Sequence, residues 1–347
     1  RRTWIGNPDL KWETTKQTDF GVDFGFFNQR LTGSFDYYYK KTNDILVQTP
    51  YIAAMGEGGE PWVNGASMNN QGVEFTVSFK SDPSSEFQWA VSANIGTYKT
   101  ELTDLPSNVI NKYAGDGVHD LILGRSPNSA YGLVADGIFK TQEEVDAHAD
   151  QPGKAVGRIR YKDLDGDGVI NETYDRTWIG CYDPDFFGGL NFDFAYKGFD
   201  LNLFFEGMFG NDVNSDWKKE SDIWLFTNPA WKNHATRMLG GWSPDNPNSD
   251  IPAISNNTAN QEQRFSSWFI EDGSYIKLRN IELGYTFPTK LIKKMHMSNL
   301  RLYAAAYNVF TLKKFWGDDK YTSFDPERPS YHYLTPFTFN FGINVSF

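Results

Sequence analysis

Apolar and polar residues alternate one for one at the C-terminal end of the chain. Phe337, Phe339, Phe341, Ile343, Val345 and Phe347 share one parity, and Thr338, Asn340, Gly342, Asn344 and Ser346 share the other. Successive side chains of a strand point to opposite faces, so this spacing predicts a strand with one oily face and one polar face. The same dyad recurs upstream. Phe20, Val22, Phe24 and Phe26 form one apolar row, Leu31, Gly33, Phe35 and Tyr37 the next, and Val73, Phe75, Val77 and Phe79 a third. Further rows are Phe87–Ile95, Leu190–Tyr196, Phe199–Phe205 and Leu300–Ala306, each taken at every second residue. Residues 275–286 keep the period only in halves: Ile276 and Leu278, then Ile281, Leu283 and Tyr285 on the other parity. A bulge near Arg279 would bring both halves onto one face.

Nine strands are thus predicted, and their connections alternate in length. Short ones fall at Asn28–Arg30, Ser81–Glu86, Lys197–Gly198 and Pro288–Asn299, whereas long ones cover about 42–70, 99–186, 211–274 and 311–334. Short turns on one rim and long loops on the other characterise outer-membrane β-barrels. A soluble sandwich or propeller, the other architecture with oily strand faces, has no reason to collect its long loops at one end. In a barrel the apolar parity meets hydrocarbon. Asp23, Asp36, Glu74 and Glu206, on the polar parity, then border a wet lumen, where a charge costs little. Tyr and Trp near strand ends suit the interfacial girdles. The expected fold class is therefore all-β: an antiparallel transmembrane barrel segment with long extracellular loops.

Topology extends the expectation. With the short turns periplasmic, the last strand ends on the periplasmic side, and residues 1–13 belong to an outer loop. Single-chain bacterial barrels hold even strand numbers, and open sheet edges do not survive in lipid. Nine strands are therefore expected to be the C-terminal part of a larger barrel, spanning residues 1–347.

Composition narrows the function. Of 347 residues, 16% are aromatic and 28 are Phe, which is too much buriable surface for a disordered chain. No run approaches the roughly 18–20 apolar residues of a membrane helix. A formal net charge of −11 disfavours binding to nucleic acid. Cys181 is the single cysteine, so no internal disulfide or zinc CxxC forms. No signal peptide opens the sequence: Arg1-Arg2-Thr3-Trp4 leads into polar residues. Either the chain is cytoplasmic or Arg1 does not begin the gene product, and the strand pattern favours the second.

Several stretches resemble the SusC-like (RagA-like) TonB-dependent outer-membrane transporters. Asn7–Glu13 (NPDLKWE) is similar to the family's "NPxLKWE" approach to a strand, and Leu31–Leu46 (LTGSFDYYYKKTNDIL) to its next strand and loop. Asn69–Glu74 (NNQGVE), Glu271–Pro288 (EDGSYIKLRNIELGYTFP), Leu300–Phe310 (LRLYAAAYNVF) and the Phe-terminated last strand continue the match in order. The resemblance implies a barrel of about 22 strands. It implies active import of a bulky nutrient, an oligosaccharide or a peptide, with a SusD-like surface lipoprotein over the outer mouth. It also implies a plug and the rest of the barrel outside this sequence, and energy delivered through TonB. Rival readings are a surface-exposed glycan-binding β-protein without transport, and an extracellular β-fold glycoside hydrolase with two carboxylates around a cleft.

Candidate chemistry is sparse. Asp163, Asp165, Asp167, Val169 and Asn171 occupy alternate positions among the first nine residues of an EF-hand-type calcium loop, with Gly168 at the sixth. Alternating carboxylates of this kind converge on one hard cation. Tyr174 stands where the closing Glu belongs, and Glu172 or Asp175 could replace it. The competing account is an Asp/Gly-rich turn held by its own hydrogen bonds. Trp178, Trp224, Trp231 and Trp316 are the candidate stacking residues for a sugar, against loop packing, membrane girdle or cap contacts. His119, His148, His234, His296 and His332 lie far apart, and no HExxH, GxSxG or phosphate-binding glycine motif occurs. No enzyme activity and no cofactor other than a structural calcium ion is expected.

Overall fold

The computed structural model describes residues 6–49, 61–110, 113–115, 119–223, 234–255, 257–313, 322–329 and 333–347. Nine long strands form its main sheet: β1 (Thr14–Phe26), β2 (Leu31–Gln48), β3 (Trp62–Lys80), β4 (Phe87–Asp104), β5 (Phe186–Tyr196), β6 (Phe199–Phe209), β7 (Tyr275–Thr286), β8 (Asn299–Lys313) and β9 (Thr338–Ser346). They lie side by side in chain order, and every neighbouring pair is antiparallel. Among the described residues β1 and β9 are the sheet's two edges.

The short rim is built from tight turns. Lys197 and Gly198, at φ 47° and 88°, join β5 to β6 as a two-residue turn. Two positive φ angles match the right-handed twist of the flanking strands, and glycine takes the second at little cost. Phe27, Asn28 and Gln29, all with positive φ, turn β1 into β2.

The register keeps the oily rows together. Phe199 faces Tyr285, Leu201 faces Leu283, and Leu203 faces Ile281, after which Phe205 faces Leu278. The step falls at Arg279, which has no partner on β6, so the expected bulge restores the apolar face. On β9, Phe339, Phe341 and Ile343 are 53%, 78% and 66% exposed. That matches a surface waiting for hydrocarbon rather than for a second protein layer. Inside, aromatic rings cover glycines: a Cβ on Gly342 would collide with the Tyr303 ring, and one on Gly72 would lie 2.6 Å from Tyr38 Oη. Those two positions need glycine because the ring occupies the space a side chain would take.

The loops differ from expectation in extent. The strands β2 and β3 climb to Gln48 and from Trp62, so the predicted 42–70 loop shrinks to 49–61. Their outer ends shift register between Thr42 and Leu46, with Asp44 at φ 57°. Such irregularity hides the dyad from a sequence pattern. Of the remaining long connections, 105–185 and 210–274 fold on each other. Leu133, Ile138, Ile159, Tyr161, Ile170, Ile223 and Phe269 make one buried core between them. A second core joins Val47, Ala66 and Leu102 to Leu105, Val109 and Ile122 at the top of β2–β4. No helix among the described residues is long and apolar enough to cross a membrane.

Candidate functional site

The lumen face carries a ladder of polar side chains. Asn202 Nδ2 donates to Asn191 Oδ1 (2.9 Å) and to Asp193 Oδ1 (2.7 Å), and Asn280 Nδ2 donates to Asn202 Oδ1 (2.9 Å). Lower down, Arg301 bridges Asp200 and Glu282. The asparagine links join neighbouring strands, so pairing alone assembles them, whereas Arg301 on β8 reaches Asp200 on β6 across β7, over the space left by Gly284.

Nearer the outer rim the wall turns ionic and takes hold of a loop. Lys277, 3% exposed, places Nζ 2.6 Å from Asp325 and 2.7 Å from Glu327. Arg279, at the bulge, pairs with Glu206 (2.9 Å) and with Glu327 (2.6 Å). The segment 322–329 is thereby fastened to β6 and β7 from the inside. Its other side is tied down as well: Thr322 donates to Glu271 (2.8 Å), Ser323 shares a hydrogen bond with Ser215 (2.9 Å), and Phe324 packs edge-on against Trp217. Partial burial would raise the Glu327 carboxyl, but hydrogen bonds and charges from Arg279 and Lys277 hold it at about 2.

The loop layer has its own buried ion pair. Arg158 and Glu262, each 6% exposed in its side chain, meet at 2.7 Å, and Glu262 Oε1 also accepts from Ile159 N. Burial pushes the Glu262 carboxyl up, against the Arg158 charge that lowers it. Beside this layer lies a cavity of about 750 Å³, lined by Asp212, Lys218, Arg237, Trp268, Glu271 and Asp272 among others. Lys218 Nζ sits 4.7 Å over the Trp268 ring and 3.6 Å from Glu271. Arg237 is held by Asp222. An aromatic plate ringed by carboxylates and cations can accept a polar molecule that has apolar C–H faces and many hydroxyl or amide groups.

The predicted site residues scatter. Asp163, Asp165 and Asp175 bring carboxylate oxygens within 4.8 Å of one another. Asp163 accepts from Gly166 N (2.7 Å) and Gly168 N (2.9 Å), and these bonds, the one from Gly168 first, lower its pKa. Asp175 is fully buried and accepts from Leu164 N and Asn171 N. Asp167 lies outside the convergent set and accepts from Val169 N (2.7 Å), while the Val169 carbonyl accepts from Asn171 Nδ2 at 3.5 Å. Trp178 is wedged between the Arg125 guanidinium, 4.7 Å from its ring centre, and the Tyr131 ring at 4.9 Å. Trp224, Trp231 and Trp316 lie outside the described residues. Cys181 is a free thiol whose backbone N–H donates to Asp212.

Lys277, Trp268, Arg158 and Glu262 were not singled out by the sequence. Lys277 and Arg279 lie in the recognisable stretch Glu271–Pro288, but their partners stand about 50 residues away and follow no spacing rule.

Comparison with known proteins agrees with this architecture. Residues 2–309 match the family model described as TonB dependent receptor-like, beta-barrel. TonB-dependent receptor P3 of Formosa agariphila is 32% identical over 99% of this chain and 35% of its own length. TonB-dependent receptor SusC of Bacteroides thetaiotaomicron is 27% identical over 98% of this chain and 32% of its own. The solved RagAB peptide transporter superposes with a TM-score of 0.77 at 26% identity, over 99% of this chain and 36% of that one. The chain thus spans about a third of the length of the relatives it matches. A one-sided oily sheet, a polar inner face and a family match over most of the sequence agree: this chain belongs to the TonB-dependent receptor β-barrels of the outer membrane.

Proposed function

We propose that this chain is the C-terminal part of the barrel wall of a SusC-type importer, together with the extracellular loops that receive the nutrient. Two open edges, β1 and β9, support a larger closed wall, because unpaired strand edges are not tolerated in lipid. In this reading the remaining strands, a plug and the TonB-contacting segment complete the machine. A SusD-like lipoprotein covers the long-loop rim.

The cargo is an oligosaccharide. The observation that carries this is the loop cavity, where Trp268 offers a ring and Asp212, Glu271 and Asp272 offer acceptors for hydroxyl groups. Burial raises the Asp212 carboxyl, the Cys181 N–H lowers it, and the nearby Asp272 and Asp185 raise it further. A peptide is the second cargo to test, since the solved RagAB peptide transporter shares this chain's fold. Cells that rely on this protein should lose uptake of one glycan class when Trp268 becomes Ala, with surface expression intact. Unchanged glycan uptake together with lost peptide uptake would reverse the cargo assignment.

The loop 163–175 is proposed to hold one structural calcium ion. Asp163, Asp165 and Asp175 supply convergent hard oxygens, as calcium requires. When bound, the ion would tie the 105–185 loop in place and take no part in transport chemistry. Calcium should raise protease resistance of this loop in the wild type and not in Asp163→Asn.

A further inference from the structure

On the first two strands the hydrocarbon-facing parity ends in two lysines set side by side. Along β1 that parity runs Phe26, Phe24, Val22, Phe20, Thr18, Lys16, and along β2 it runs Leu31, Gly33, Phe35, Tyr37, Tyr39, Lys41. Lys16 and Lys41 are register partners, with no bulge between them and the short turn. Both are exposed. Like charges placed directly opposite on a sheet repel each other, so the pair weakens the strand pairing unless something neutralises it. Among the described residues neither ammonium has a carboxylate partner, whereas Lys99, also outward, is paired with Glu101 at 2.5 Å. The next neighbour on the row is Asn69, a neutral residue.

Their height identifies what they meet. Each lysine stands ten residues up its strand from the short turn. At about 3.3 Å per residue and a tilt near 40°, that is roughly 25 Å, the thickness of the apolar band of such barrels. The two ammonium groups therefore emerge at the outer edge of the hydrocarbon, on the long-loop side. The exposed Phe20, Val22, Phe35 and Tyr37 lie directly below them. In a chain of net charge −11, two cations facing outward at one level stand apart from the acidic lumen.

We propose that Lys16 and Lys41 form a clamp for the phosphate of an outer-leaflet lipid, whose acyl chains lie on Phe20, Val22, Phe35 and Tyr37. The phosphate sits between the two ammonium groups and removes their mutual repulsion, so a bound lipid also strengthens the β1–β2 pairing. Membrane proximity contributes roughly a factor of five per lysine, so losing both should weaken lipid binding about 10–30-fold.

The complete barrel protein should be compared with Lys16→Gln/Lys41→Gln in mixed micelles containing phosphatidic acid, in micelles containing phosphatidylcholine, and with inorganic phosphate alone. Wild type should retain phosphatidic acid preferentially in native mass spectra, and its thermal midpoint should rise with that lipid. The double variant should fold, bind about 10–30-fold less phosphatidic acid and lose the rise. Lys99→Gln, a variant of the lysine that already has a carboxylate partner, should behave as wild type. Equal retention by the double variant would overturn the clamp, as would a rise produced equally by inorganic phosphate or by phosphatidylcholine.

Discussion

Lys277→Met should release the segment 322–329 from the lumen wall without unfolding the barrel. The lysine is 3% exposed and sits between Asp325 and Glu327 at 2.6 Å and 2.7 Å. Methionine keeps the stem and removes the charge, so Asp325, with 11% of its side chain exposed, stays buried without its cation. Removing one partner of a buried pair costs about 3–5 kcal/mol, because the other is left uncompensated. Glu327 is 36% exposed and keeps Arg279, so its share is small after screening by solvent. The net penalty is therefore about 3 kcal/mol, the lower end of that range. It falls on local docking, because the β6–β7 ladder does not use the lysine side chain. A penalty of that size raises the undocked population about 100-fold. Hydrogen exchange of amides in 322–329, measured on the folded protein, reads this directly. Adding Asp325→Asn to Lys277→Met should restore part of the protection, since the stranded charge is then gone. Unchanged exchange in Lys277→Met would refute the idea that this ion cluster holds the loop, and so would equal loosening of β6 and β7.

The same segment should respond to acid. Glu327 titrates at about 2 against an ordinary 4.5, so its stabilising contribution is complete above 4.5 and is lost as pH falls towards 2; exchange of 322–329 followed over that window should show it. In the loop layer, Arg158→Met should strand Glu262 in a buried site and cost about 3–5 kcal/mol of loop stability, seen as faster proteolysis within 105–185 and 210–274. On the outer face, Phe341→Arg should lower barrel stability by about 2–4 kcal/mol in bilayer refolding titrations, whereas Asn340→Arg on the lumen parity should cost far less. Ser215→Ala, which removes a fully buried hydroxyl bonded to Ser323, should weaken docking of 322–329 by about 1 kcal/mol in the exchange assay.

What sequence could and could not reveal follows from where each interaction acts. In the membrane-level part of the wall, one face must be apolar throughout, so a period of two is enforced residue by residue and all nine strands are readable. Even the bulge at Arg279 is legible, since Ile276 and Leu278 fall out of phase with Ile281 and Leu283. Above the membrane that constraint lapses. The outer ends of β2 and β3 turn Ile45, Val47, Val63, Ala66 and Met68 onto the loop core rather than onto lipid and shift register near Asp44, so the pattern predicts a loop where strands continue. Candidate site residues fare differently by range. Asp163 and Asp165 lie close in sequence, and their convergence with Asp175 is a local property that spacing can express. The Arg158–Glu262 pair joins residues 104 apart, and Lys277 meets Glu327 50 residues on. Nothing in either neighbourhood marks those partners, because the fold alone brings them together. Trp178 is conspicuous in sequence as an aromatic in a loop, and the structure packs its ring between Arg125 and Tyr131.

The assignment of this sheet to a membrane-spanning wall depends first on which of its faces meets lipid. Spin labels placed one at a time from residue 338 to residue 346 on β9, in the complete barrel reconstituted in bilayers, measure this directly. Collision with lipid-soluble oxygen should peak at 339, 341, 343 and 345, and collision with a water-soluble nickel chelate should peak at 338, 340, 342, 344 and 346. Uniform oxygen exposure, or the two patterns exchanged, would contradict the assignment of the oily face to the bilayer.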